Sequence, residues 1–137
     1  MSLPDRLKPL DAALESTDRA QIMAAAWEAF AVAERVADDA AFEEGGDELQ
    51  AMIAAQASAA GRSLLPLPGS GRPVDVPPLS PGAEGLAPYV ELLRHVQAAL
   101  EHAAAEPGTE EGSREAVREA AGKAATAAGA LLATRER

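Results

Sequence analysis

His95 and His102 are the only histidines in the chain, and with Glu91 they come nearest to a metal-ligating set. Two imidazoles and a carboxylate on one helix face could hold a divalent cation. On a helical wheel counted from Glu91, His95 falls at about 40° and His102 at about 20°, so all three share a face. Two arguments oppose the metal reading. The apolar stripe of the same segment centres near about 150° on that wheel, so the three point to solvent. Helical rise also separates the two rings by about 10 Å along the axis, too far to share one ion. The Glu-x-x-His pairs of di-metal carboxylate bundles are absent from the sequence. No metal and no other cofactor is expected.

Other chemistry fares no better. Glu34, Asp38 and Asp39 continue into Glu43 and Glu44. Paired carboxylates do acid–base work when one of them is buried, but these sit among other charges and read as a solvated face. No serine lies in a G-x-S-x-G elbow, and Gly69-Ser70-Gly71 lacks the G-K-[ST] ending of a phosphate loop. With no cysteine, thiolate sites and disulfides are excluded. An enzyme is not expected.

The formal net charge of −10 opposes binding to nucleic acid and to anionic lipid, both of which want a basic surface. It suits a soluble protein whose partner could be basic. The first residues carry no long apolar run of a secretory signal, and no stretch approaches the ~18 apolar residues of a membrane span. A cytoplasmic protein is expected. Arginine strongly outnumbers lysine, which is found only at Lys8 and Lys123. Together with an alanine content of about a quarter, far above ordinary usage, this suggests a bacterial gene of high GC content.

The elements are helical throughout. A short helix is expected over about 9–15, with Leu3 and Leu7 as a lead-in. Asp18 with Gln21 opens a second, over about 18–43, in the manner of a capping box. Its apolar arc takes in Ile22, Met23, Ala26, Phe30, Ala33, Ala37 and Ala40 and is widened by Ala25, Ala29, Val32 and Val36. A helix so apolar around its circumference is usually central. Asp47 with Gln50 opens a third, over about 47–60, with Leu49, Met52, Ile53, Ala57 and Ala60 as its expected buried stripe and Gly61 as its terminating glycine. A fourth spans about 87–105, burying Tyr89, Leu92, Leu93, Val96, Leu100 and Ala103. A fifth spans about 113–134, burying Val117, Ala120, Ala121, Ala124, Ala128, Leu131 and Leu132. Short connections favour antiparallel neighbours. The expected fold is all-α: one domain over 1–137, with two helical hairpins docked as an antiparallel four-helix-bundle-like core and the short N-terminal helix beside it.

The hairpins are separated by a proline-rich strap over 63–82, with prolines at 66, 68, 73, 77, 78 and 81. Such a stretch can be neither helix nor interior strand. Its aliphatic residues suggest a cover, with Leu64, Leu65, Leu67, Val76 and Leu79 buried against the bundle. Trp27 sits at the edge of the second helix's apolar arc, where it serves best as a packing anchor. Gly122 and Gly129 lie off the stripe of the fifth helix and could flank a homodimer contact. The expected function is a non-enzymatic protein–protein interaction module, regulatory or assembling in kind. The alternative is a small-molecule-binding bundle whose pocket lies under the strap and is lined by Trp27, Phe30 and Tyr89.

Overall fold

The computed structural model describes residues 8–16, 18–41, 47–65, 87–106 and 111–135. These form five helices: α1 (Lys8–Ala13), α2 (Arg19–Ala41), α3 (Glu48–Ser63), α4 (Ala87–Ala105) and α5 (Glu111–Arg135). The fold is all-α, and no strand occurs among the described residues. Leu67, Val76 and Leu79 of the strap lie outside them. Leu64 is half-buried and Leu65 is buried against the core.

The helix starts follow from their caps. Asp18 accepts the backbone N–H of Ala20 through its carboxylate, at 3.0 Å. Gln21 does not reach back to the Asp18 N–H as a capping box would have it. That N–H donates to Ser16 Oγ, and the Ser16 hydroxyl in turn donates to Gln21 Oε1, so Gln21 supports the cap through one more residue. Asp47 caps α3 by accepting the Gln50 N–H at 3.2 Å.

The helices α2, α3, α5 and α4 form a ring in that order, with α1 packed on α2. Only a few residues separate α2 from α3 and α4 from α5, too few to run back along a neighbouring helix, so each pair is antiparallel. Arg19 Nη2 donates to Ser113 Oγ at 3.4 Å, which brings the starts of α2 and α5 to the same end. α3 therefore ends, and α4 begins, at opposite ends of the bundle.

Three of the stripes read from periodicity are the buried ones. All eleven apolar positions named for α2 are buried, as are the six named for α4 and, on α5, all but the half-buried Leu132. α3 differs. Leu49 is 66% exposed, Met52 is 46% exposed, and Ile53 and Ala60 are only half-buried. The buried residues of α3 are Ala51, Ala54, Ala57, Ser58 and Gly61. The reason is steric. A Cβ built on Gly61 would stand 2.5 Å from Phe30 Cζ, so the aromatic ring occupies the space a side chain would need. Gly61 is thus an interior helical residue and not a terminator, and α3 continues to Ser63. The small-residue face lets α3 come close to α2, and the larger side chains turn outward.

Gly61→Ala is expected to destabilise the fold by about 1–3 kcal/mol through overpacking. Gly61→Ala combined with Phe30→Leu should lose less than the sum of the two single changes, because the added methyl enters the space the ring gives up. Urea unfolding of the four proteins of this cycle checks both statements.

Candidate functional site

Three places on the surface bring together side chains that could act, and each is built by a different pair of helices. On the seam between α2 and α3, Arg62 comes from the last turn of α3. Its guanidinium carbon lies 5.6 Å from the centre of the Trp27 ring, and its Nη1 is 2.6 Å from Glu34 Oε1. Trp27 and Glu34 sit two helical turns apart on α2, so one arginine spans both. Glu34 was expected to belong to a solvated acidic face with Asp38 and Asp39. The two aspartates are exposed, but Glu34 is half-buried in this pair. Each contact contributes at most about 1 kcal/mol at such a half-exposed position. Their effect is to close the hairpin and hold Trp27 against the core as a packing anchor.

The second place is a groove of about 390 Å³ between the α1–α2 turn and α4. Leu14, Ile22, Ala98 and Ala99 supply its apolar lining, and Glu15, Ser16, His95, His102 and Glu106 its polar one. His95 was expected to point to solvent. It is half-buried instead, and its Nδ1–H donates to Asp11 Oδ1 at 2.6 Å. Asp11 could not be found from the sequence, since it lies far along the chain on another helix. A carboxylate orienting an imidazole is half of a nucleophilic constellation. Ser16 lines the same groove, but its hydroxyl is engaged in the cap of α2. His102 is 78% exposed, and its Nε2 is 3.8 Å from Glu106 Oε1, beyond hydrogen-bonding distance. Among the described residues, no three His, Asp or Glu side chains come close enough to hold a metal ion.

The third place is the outer face of α3. Leu49, Met52, Gln56 and Ser63 are exposed along it, flanked by half-buried Ile53, Ala59 and Ala60. Between Leu49 and Gly61 the helix carries no charged residue. The outer faces of the other long helices are charged: Arg35, Asp38 and Asp39 on α2; Glu91, Arg94 and Glu101 on α4; Glu115, Arg118 and Glu119 on α5. A shallow groove of about 340 Å³ borders the α3 face, formed by Ile53, Gln56, Ala57 and Ala60 with Lys123 and Thr126 of α5.

The residues singled out from the sequence do not converge on one site. Phe30 and Tyr89 are core residues, 0% and 4% exposed, and neither lines the two grooves described above. Gly122 and Gly129 are exposed on α5, and nothing lies within 4 Å of a Cβ built on either. Leu49 and Met52 were assigned to the core and are found outside. Their exposure identifies them as a surface, and the close approach of Gly61 to Phe30 accounts for it. Comparisons with family models, with curated proteins and with solved structures find no match to this chain.

Two measurements follow from these surfaces. Burial pushes the Glu28 carboxyl above its ordinary value of 4.5, so the folded chain holds this proton more tightly than the unfolded one. The stability linked to it is present below that value and is lost as pH rises through the folded value. Glu28→Gln should therefore raise the urea midpoint at pH 7 and leave it nearly unchanged at pH 4. Gly122→Ala and Gly129→Ala should each stabilise α5 by about 0.5–1 kcal/mol, since both glycines face open space in a helix. If the glycine flank forms a dimer contact instead, the same changes would shift the chain's mass in light scattering toward monomer.

Proposed function

We propose that this chain is a non-enzymatic helical interaction module of the bacterial cytoplasm, which docks a partner protein through the outer face of α3. The observation that carries the reading is the inversion of α3. Its two largest exposed apolar side chains, Leu49 and Met52, stand one turn apart on the solvent side, with no charge from Leu49 to Gly61. Single exposed aliphatics are ordinary. Adjacent ones on a charge-free helix face, in a chain of net charge −10, form a directional apolar patch of the kind that marks contact surfaces. An interaction role also agrees with the histidine–carboxylate bond, which joins α1 to α4, and with the groove serine, which serves a helix cap.

A photo-crosslinking side chain placed at Met52 of the full chain, and separately at Glu91 on the charged face of α4, tests this in cells of the source. The expected result is a discrete adduct from position 52 and none from 91. Excess wild-type chain should compete it away, and Leu49→Lys/Met52→Lys chain should not. Equal labelling from both positions, or no adduct from 52, would overturn the proposal.

A further inference from the structure

We infer, on the reading of the α3 face as a docking surface, that the docked partner is an amphipathic helix that presents a carboxylate to Lys123. Lys123 is one of two lysines in the chain and lies half-buried on α5, at the border of that face. It shares the groove of about 340 Å³ with Ile53, Gln56, Ala57, Ala60 and Thr126. Its ammonium makes no ion pair or hydrogen bond among the described residues. Glu119 stands one turn before it on α5 without pairing with it, and no carboxylate lines the groove. Acidic residues outnumber basic ones by 22 to 12 in this chain, yet no described one answers this charge.

The other groups of the groove narrow what can meet it. Thr126 donates its hydroxyl hydrogen to the Gly122 carbonyl at 3.1 Å, so it has none to offer. Gln56 is exposed, and its amide makes no hydrogen bond among the described residues. The donors on offer are thus an ammonium and an amide, and Ile53, Ala57 and Ala60 around them are apolar. An acceptor-only anion on an aliphatic stem complements this lining, and the side chains of glutamate and aspartate are such groups. A cation in that position would be repelled, and a neutral group would leave the ammonium unpaired in a contact that excludes water. The helix sets the spacing. Gln56 lies four residues beyond Met52, about 6 Å along α3. A helix face offers no strand edge, so the partner docks as a helix along the groove. Its residues three or four apart lie one above the other, so an aliphatic side chain on Met52 and a carboxylate on Lys123 fit one face of one helix. Beyond this contact the net charge of −10 favours a neutral or basic partner, which makes the carboxylate a local match and not part of an acidic surface.

The full chain with the photo-crosslinker at Met52 supplies the readout. Adding Lys123→Glu should cut the adduct to about a tenth or less, because attraction at the contact becomes repulsion. Lys123→Arg should retain nearly all of it. Arg118→Glu makes the same charge change at an exposed position of α5 outside the groove and should leave the adduct unchanged. Helical circular dichroism matching the parent chain establishes that each variant is folded. Mass spectrometry of the adduct then locates the captured segment, which should carry Asp or Glu three or four residues from the linked position. Exchanging that residue for Lys in the partner should restore capture by the Lys123→Glu chain. Capture indifferent to Lys123→Glu would overturn the inference, as would equal loss with Arg118→Glu or a captured segment with no carboxylate at that spacing. Each of these leaves the docking face standing, since the adduct from position 52 of the parent chain persists. Absence of that adduct removes the docking face and the inference with it.

Discussion

The contact between Phe30 and Gly61 determines how the rest of the bundle is arranged. The ring takes the place of the side chain that residue 61 lacks, at a distance no Cβ could tolerate. Once this fit is made, the face of α3 carrying Ala51, Ala54, Ser58 and Gly61 must turn toward α2. The opposite face, with Leu49 and Met52, has nowhere to go but outward. The geometric requirement of one aromatic ring therefore outweighs the transfer free energy of two large aliphatic side chains. Burying each would favour the fold by about 1.5–3 kcal/mol, but only if the helix could rotate without opening a void around Phe30.

Such a solution suits a chain in which alanine makes up about a quarter of the residues. Alanine supplies helix propensity and lets backbones approach closely, but it offers little surface to bury. Phe30, Leu92, Leu93, Leu100 and Leu131, all essentially inaccessible, are the large residues around which the small ones close. Ser58 is fully buried in the same region, and its hydroxyl has no hydrogen-bond partner among the described residues. The polar contacts at the periphery are modest by comparison. Arg62 with Trp27 and Glu34 closes one hairpin, and Asp11 with His95 attaches the shortest helix to α4.

Where a helix is long and its large residues recur on one side, periodicity alone identifies the buried face, as for α2, α4 and α5. α3 defeats that method for a definite reason. Alanine is apolar on either face, so the period does not say which side is inside, and side-chain size favours Leu49, Met52 and Ile53. What decides is complementarity to a ring on another helix, and a sequence pattern does not carry it. Gly61 is ambiguous for the same cause: a glycine near a helix end reads as a terminator unless the neighbour that fills its space is known. His95 was misplaced because its partner Asp11 belongs to α1, whose position on the bundle follows from packing and not from any local signal.

The charge distribution gives the exposed face its meaning. An apolar patch on a weakly charged protein invites indiscriminate association. Here three of the four long helices present charged outer faces, and the chain as a whole repels its copies through a net charge of −10. The net charge opposes the approach of copies in every orientation, and the α3 face differs from the others in adding no local charge between Leu49 and Gly61. The repulsion also sets an upper bound on how tightly copies can hold. It is long-ranged and acts on the whole molecule, whereas the apolar contact is confined to one helix. Raising ionic strength screens the first within a Debye length of about 8–10 Å and leaves the second intact. Contact between copies through this face should therefore tighten with added salt, the opposite of an interface held together by ion pairs.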